Sequence, residues 1–265
     1  MTNRFFSPPC LQTSRSKNFY AVSLLCTCLT ALAQAQFESI FDGKTLDDWE
    51  GQSDLWRIED EAIVGTTVGK NIKTNTFLIY EGSRVRNFHL KAKLRMEGEN
   101  NSGIMYRAQD LEDVSYGLKG PQMDIHPKPE YQGMYYSEQT GRGIIAQRGQ
   151  EVRVSNERND KGKVTIQVVG EIPPGTPFNL SEWNEYEVIA VGRRSIHLIN
   201  GVVTVDVTDQ DETTELNGKI GLQLHQGPDM TIRVKDVKIR HLRGQDARKA
   251  LEENSTFRLK KKLKN

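Results

Sequence analysis

The chain has 265 residues, with 36 Lys and Arg against 35 Asp and Glu, and it contains three cysteines. Cys10, Cys26 and Cys28 all lie in the first 35 residues, so the rest of the chain has neither a disulfide nor a cysteine-based zinc site. Residues 36–242 contain 25 basic and 32 acidic residues. This balance argues against nucleic acid as a partner, because phosphate binding needs concentrated Lys and Arg.

Residues 1–35 are typical of a secretory signal peptide. Three basic residues and no acidic residue precede or flank an apolar run from Phe19 to Ala33, and Ala33-Gln34-Ala35 supplies the small residues that signal peptidase recognises. The apolar run is shorter than the ~20 residues that a membrane-spanning helix needs. We therefore expect cleavage after Ala35 and a periplasmic or secreted protein with no stable membrane insertion. An N-terminal membrane anchor is the alternative.

The next elements in chain order are strands. Trp56–Gly65 predicts a hairpin around an acidic turn, and Asn87–Met96 alternates apolar and polar side chains as a half-buried antiparallel strand does. Ser195–Val207 predicts a second hairpin, because Asn200-Gly201 favours a type I′ turn. In this alternation His89 and His197 are expected on the sheet surface. Further strands are predicted at 164–169, 183–191, 220–225 and 231–242.

About a dozen short strands without a helical period indicate an all-β sandwich or barrel. We expect one domain at 36–242, followed by a basic tail at 243–265. The tail has eight basic and three acidic residues. It is expected to be a solvated extension or short helix that contributes little to stability.

Polar side chains of an unusual kind share strand faces. Because strand side chains alternate between faces, four sets emerge: Gly103, Met105 and Arg107; Gln122, Asp124 and His126; Tyr136 and Glu138; Gln223 and His225. Carboxylates, amides and an arginine beside aromatic rings suit a carbohydrate, whose hydroxyls need directional bonds and whose apolar faces need rings. The alternative is a polar sheet face without function.

Other chemistries are less well supported by the residues. Asp124, His126 and Glu138 are donors that could together bind a divalent cation, so a metal ion is one alternative. The sequence identifies no certain cofactor. The acidic run 209–215 is expected to be a solvated loop rather than a calcium site. The sequence contains no G-x-S-x-G elbow and no phosphate-binding glycine loop followed by a helix.

Seven segments in a fixed order resemble the 3-keto-disaccharide hydrolase family. They include N-S-G-I-M-Y-R at 101–107, Y-G-L-K-G-P-Q-M-D-I at 116–125 and G-K-I-G-L-Q-L-H at 218–225; the others lie at 37–49, 56–65, 183–192 and 197–202. The resemblance covers about residues 37–242. It implies a concanavalin A-like jelly roll of two antiparallel sheets, with the sugar site on the concave sheet, in a periplasmic or secreted protein.

The resemblance also implies a reaction. A ketone at C3 of a glucoside acidifies the C2 hydrogen, so a base removes it, the glycosidic oxygen leaves C1, and water adds back. The matching positions offer Asp124 or Glu138 as the base and Arg107 or a cation as the electrophile. The positions that would hold the sugar are Gln122, His126, Tyr136, Arg142, Gln223 and His225.

One departure from the family pattern leaves these roles open. Lys119 and Gly120-Pro121 stand where many relatives carry an acidic residue before the strand at 122. A non-catalytic carbohydrate-binding module of the same fold is therefore the alternative to an enzyme. A conventional glucanase is disfavoured by the missing E-x-D-x-x-E run. The sequence does not specify the sugar, the linkage, the metal or the oligomeric state.

Overall fold

The computed structural model describes residues 1–2 and 36–255, and residues 36–255 belong to one compact unit. Apart from its first two residues, the predicted signal peptide lies outside the described residues, and so does the last part of the tail. Within the described part, no helix is long and apolar enough to cross a membrane.

Two β-sheets make up most of the fold. The larger sheet has ten strands in the order β12-β11-β15-β14-β13-β6-β17-β4-β3, with β1 paired to β17. Its strands are β1 (Glu38–Ser39), β3 (Trp56–Glu59), β4 (Ala62–Thr66), β6 (Phe88–Gly98), β11 (Gln150–Arg158), β12 (Val164–Glu171), β13 (Asn184–Val191), β14 (Arg194–Ile199), β15 (Val202–Asp209) and β17 (Met230–His241).

The smaller sheet has seven strands in the order β10-β9-β8-β7-β16-β5-β2. Its strands are β2 (Trp49–Glu50), β5 (Thr76–Val85), β7 (Ser102–Asp110), β8 (Leu118–Ile125), β9 (Tyr135–Glu138), β10 (Gly143–Ala146) and β16 (Gly218–Leu224). A short 3-10 helix, Pro129–Tyr131, precedes β9, and an α-helix, α1 (Gly244–Asn254), follows β17. The predicted all-β, two-sheet jelly-roll sandwich is confirmed. All strand pairs in the two sheets are antiparallel except β11 with β15, which are parallel.

The core forms where the two sheets face each other. On β6, Phe88, Leu90, Ala92, Leu94 and Met96 are buried, as their strict alternation predicts. The seven-stranded sheet contributes Leu78, Ile104, Tyr106, Met123 and Leu222 to the same cluster. Burying a side chain of this size stabilises the fold by roughly 1.5–3 kcal/mol, so the core does not depend on disulfides.

Both predicted hairpins have the expected turns. Asn200 and Gly201 have φ angles of 51° and 74°, and Asp60 and Glu61 have φ angles of 51° and 57°. Two successive residues with positive φ are the mark of a type I′ turn, whose twist matches that of the strands it joins.

The expectation that His89 and His197 lie on the surface is wrong. His89 is buried, with its Nε2 2.7 Å from Glu187 Oε2. His197 is fully buried between the sheets, because β14 is covered on both sides. Its neighbours Ile196 and Leu198 face away from the sandwich and pack in a cluster with helix α1. Alternation alone does not show which face of a doubly covered strand meets which layer.

The same cluster includes the start of the predicted tail, which forms a short helix, one of its two predicted states. Ala247 and Ala250 of α1 are buried against apolar side chains of the ten-stranded sheet. Residues 244–254 are therefore an ordered element of the compact unit, and they lie beyond the predicted domain boundary at 242.

Candidate functional site

A polar cluster lies on the outer face of the seven-stranded sheet, opposite the core. The strand registers place Gly103 beside Asp124, Met105 beside Gln122, and Gln122 beside Tyr136. Cross-strand neighbours point to the same face, so Gln122, Asp124 and Tyr136 lie together. Glu138 follows two residues after Tyr136 on the same face of β9.

Gln122 connects the cluster across three strands. Its Nε2 donates to Asp124 Oδ1 at 2.6 Å and to Gln223 Oε1 at 3.2 Å. The side chain lies directly over Gly103, where a Cβ atom would be 2.3 Å from Gln122 Nε2. Position 103 therefore requires glycine for Gln122 to reach Asp124.

Two buried amide atoms of this cluster have no hydrogen-bond partner in the described part of the chain. They are Gln122 Oε1, an acceptor, and Gln223 Nε2, a donor. Native proteins rarely leave buried polar atoms unpaired, and those that do occur often mark functional sites or bound water. The site thus offers one acceptor and one donor to a ligand that has hydroxyl or carbonyl groups.

Asp124 has an altered proton affinity. Burial raises the pKa of its carboxyl to about 8; the bond from Gln122 lowers it, and the nearby Glu138 raises it further. Desolvation disfavours the charged carboxylate, so near neutral pH this group exchanges protons readily. A carboxyl with a pKa near the working pH is suited to general acid–base catalysis.

Glu138 and Tyr136 complete one side of the cluster. Glu138 is buried and accepts a hydrogen bond from Asn75 Nδ2 at 3.1 Å. Asn75 in turn accepts from the backbone N–H of Gln226 at 3.0 Å through its Oδ1. Burial raises the pKa of the half-buried Tyr136, and Glu138 and Asp124 raise it further, so its phenol lies within electrostatic reach of both carboxyl groups.

His126 and His225 lie at the ends of β8 and β16. The Nδ1 atom of His126 accepts from the backbone N–H of Lys128 at 3.0 Å, and its ring packs edge-on against Tyr131. Burial lowers the pKa of His126, with smaller contributions from Lys128 and His225. His225 donates from Nδ1 to the carbonyl O of Gln226 at 2.6 Å. Both rings are only partly buried.

Arg107 does not join this cluster, contrary to the expectation that it faces the sugar. A register shift between Met105 and Gln109 and a φ angle of 51° at Arg107 break the alternation of β7. Its guanidinium donates to the carbonyl O of Arg86 at 2.7 Å and to that of Gly192 at 2.8 Å. The side chain therefore holds two turns together, away from the Asp124 cluster.

Arg142 is also placed elsewhere, between the β9–β10 turn and the segment after β15. It donates to Asp209 Oδ2 at 2.8 Å and to Thr214 Oγ1 at 2.7 Å. Asp211 is fully buried and bonds with Arg158 at 2.6 Å. The expectation of a solvated acidic loop at 209–215 is thus wrong for Asp209 and Asp211, whose charges are paired inside the protein.

The three candidate cation ligands are not assembled. Among the residues that the structure describes, there is no group of three or more His, Cys, Asp or Glu side chains placed to hold a metal ion. Asp124 and Glu138 share the cluster, whereas His126 is engaged with Lys128 and Tyr131 at its edge.

The comparison with protein families identifies the chain. A family model described as the 3-keto-alpha-glucoside-1,2-lyase-like domain matches residues 36–240. The chain belongs to this family. It is therefore a member of a carbohydrate-active group, and the family match contains every residue of the Asp124 cluster.

Solved structures support the fold of this family member. Two structures from Parabacteroides distasonis ATCC 8503, both of candidate glycosyl hydrolases, are similar to it. One is 20% identical with a TM-score of 0.53 and covers 78% of this chain and 94% of its own. The other is 18% identical with a TM-score of 0.51 and covers 78% and 100%. Identities this low show the shared fold alone. No curated protein matches the chain.

Sequence reasoning missed one residue of the site of this lyase-like domain, Asn75, and the role of a second, Gly103. Asn75 lies just before β5, and no pattern in the sequence links it to Glu138, 63 residues away. The alternation of β7 predicts the correct face for Gly103. That the side chain of Gln122 lies directly over Gly103 depends on the contact between β7 and β8. Gly103 stands directly opposite Asp124 once the register is known, and the register is not written in either strand alone.

Proposed function

We propose that this lyase-like domain cleaves a 3-keto-glycoside by elimination, with Asp124 as the base. The single observation that carries the proposal is the buried Asp124 carboxyl, whose pKa is raised to about 8, beside two amide atoms that have no partner in the described part of the chain. A hydrogen on carbon next to a ketone is a weak acid, so its removal favours a base stronger than an ordinary carboxylate.

Groups of this site can carry out the proton transfers that the elimination requires. The ionised Asp124 takes the C2 proton, and the electron pair moves into the C2–C3 bond while the ketone oxygen becomes an enolate. Gln223 Nε2 is a buried donor available to that oxygen. The enolate then collapses, the C1–O bond breaks, and the leaving oxygen takes a proton from a neighbouring acid. Addition of water to the C1–C2 double bond completes hydrolysis.

Glu138 and Tyr136 are the nearest candidates for that acid. Tyr136 lies in electrostatic reach of both carboxyl groups, and Glu138 is held by Asn75. The half-buried ring of Tyr136 also offers an apolar surface to a sugar face. Arg107 takes no part in this scheme, because it lies outside the Asp124 cluster and donates to the backbone carbonyls of two turns.

The test compares Asp124→Asn with the wild type on a 3-keto-glucoside. Asn keeps the shape and loses the basicity, so we expect kcat to fall by about 10²–10⁴. Asp160→Asn in the exposed β11–β12 turn is the matched control and should keep full activity. In heavy water, early product should carry deuterium at C2, since elimination removes that proton.

Three results would count against the proposal. Full activity in Asp124→Asn would remove Asp124 from the mechanism, and a C2 position that stays protiated at early times would remove elimination. If neither protein turns over a keto-glycoside but both bind it, the domain is a carbohydrate-binding module.

A pH profile of kcat/KM adds a check. The value should rise with pH through about 8, as the Asp124 carboxyl ionises in the free enzyme.

A further inference from the structure

Asp124 is held by backbone hydrogen bonds to the turn before β9. Its N–H donates to the carbonyl O of Met134 at 3.1 Å, and its carbonyl O accepts from the N–H of Gly133 at 2.9 Å. The regular pairing of β8 with β9 ends at Met123. These two bonds therefore extend the ladder to Asp124 and set its position beside Gln122.

Gly133 is fixed in turn from the opposite sheet. Its carbonyl O accepts from Thr204 Oγ1 at 2.9 Å and lies 3.2 Å from His197 Nδ1. Thr204 and His197 lie on β15 and β14 of the ten-stranded sheet, and both are buried. Gly133 has a φ of +76°, and a Cβ atom there would lie 2.5 Å from Thr204 Oγ1. Only glycine allows this approach of the two sheets.

The His197 ring has one tautomer that satisfies all of its neighbours. A carbonyl oxygen only accepts, so Nδ1 carries the hydrogen toward Gly133 and Nε2 accepts from the Tyr106 hydroxyl at 2.9 Å. Burial lowers the pKa of His197 to about 4, so the ring is neutral at pH 7. Tyr135 stacks on it with ring centroids 5.7 Å apart. The ring is thus locked in orientation by contacts on three sides.

We infer that Thr204 and His197 are positioning residues for Asp124, which act across the sandwich through the Gly133 carbonyl. Neither side chain lies on the outer face with the site. Each contacts the Gly133 carbonyl, and the peptide groups on either side of that carbonyl supply the N–H and the C=O that bond Asp124. Loss of these donors should let the 133–134 segment move away from β8 and admit water to Asp124. The catalytic consequence rests on the proposed function, whereas the structural one does not.

Thr204→Val is the most direct test, because it removes the hydroxyl and keeps the shape. Thr204→Ser restores the donor, and Thr208→Val on the same strand is the control, since Thr208 makes no side-chain hydrogen bond among the described residues. Amide hydrogen exchange by NMR reports the structural claim without any substrate. We expect the Asp124 and Gly133 amides to exchange about fivefold faster in Thr204→Val, the factor for one net hydrogen bond, with other strands unchanged.

Activity on a 3-keto-glucoside then reports the catalytic claim. Thr204→Val should lower kcat by roughly 10- to 100-fold, as small misplacements of catalytic groups do, and keep KM. The pH midpoint of kcat/KM should move down, because water reaching Asp124 relieves the desolvation that raises its pKa. Thr204→Ser should restore both. If the wild type does not turn over the 3-keto-glucoside, the proposed function fails, but the structural claim about Gly133 still stands on the exchange data. Exchange at Asp124 and Gly133 that matches Thr208→Val, or that rises equally in all strands, would overturn the inference.

Discussion

At the scale of single residues, the site is defined by what surrounds Asp124. Among the described residues, its only side-chain hydrogen bond comes from Gln122, and no cation pairs with it. A buried carboxyl without a cation is stable in its protonated form. The residue is therefore maintained at a cost to stability, which is common for groups that carry chemistry.

That cost predicts a pH-dependent effect of Asp124→Asn on stability. The folded-state pKa of about 8 exceeds the ordinary value of 3.8, so between them the native state binds more protons than the unfolded state. Stability therefore falls as pH rises through this window. Thermal unfolding should give equal midpoints for the two proteins at pH 4. At pH 8 the variant should melt higher, by about 2–4 °C for each kcal/mol recovered.

Asp160→Asn serves as the reference for this comparison, since the Asp160 side chain is exposed. Its midpoint should follow that of the wild type at every pH. An Asp124→Asn midpoint that differs from the wild type equally at pH 4 and pH 8 would contradict the raised pKa.

Arg142, which the sequence predicted to bind the sugar, has a structural contact in the folded protein: its guanidinium pairs with the buried Asp209. Arg142→Ala leaves Asp209 buried without its cation, which typically costs about 3–5 kcal/mol. Arg57→Ala breaks an exposed pair with Glu59 and should cost no more than about 1 kcal/mol. Urea unfolding measures both free energies. Loss of sugar binding in Arg142→Ala without loss of stability would restore the original assignment.

At the scale of elements, alternation placed the apolar faces of strands but not the layer that covers them. The strand β6 is core on one side and polar on the other, as its sequence indicates. The strand β14 is buried on both sides because α1 lies over its outer face. Helix α1 is short and polar overall, and the side that packs is marked by the buried Ala247 and Ala250 and the partly buried Leu251.

The packing of α1 predicts that Ala250→Lys destabilises the protein. Ala250 is buried in the cluster that contains Leu198 and Leu242, so a lysine there overpacks the contact or forces the helix away, at about 1–3 kcal/mol. Gln245→Lys adds the same side chain at an exposed position of the helix and should be nearly neutral. Differential scanning calorimetry distinguishes the two. Equal midpoints would mean that the helix does not contribute to stability.

At the scale of the whole molecule, the described part of the compact unit and the family match begin together. Both start at residue 36. We predict that the exported protein begins at Gln36, because Ala33 and Ala35 are the small residues that signal peptidase selects. N-terminal sequencing of the protein recovered from outside the cytoplasm checks this. Recovery of the chain with residues 1–35 attached would support the membrane-anchor alternative.

The all-β class, a sandwich or barrel, and the grouping of Gln122 with Asp124 followed from the residue patterns, whereas the two-sheet jelly roll followed from the resemblance to the family. Strand side chains alternate with a period of two, and I′ turns need residues such as Asn200-Gly201, so local patterns carry this information. The same period placed Tyr136 with Glu138, and both pairs meet in the structure.

Only the tertiary structure decided which strand faces meet in the Asp124 cluster and whether the predicted arginines lie beside it. Arg107 lies outside the site because a register shift in β7 turns its side chain away. Arg142 lies outside it because its guanidinium pairs with the buried carboxylates of Asp209 and Asp211. The raised pKa of Asp124 and the link from His197 to Gly133 likewise depend on contacts between strands far apart in sequence. Burial and electrostatic pairing are sums over three-dimensional neighbours, and periodicity along one strand does not contain them.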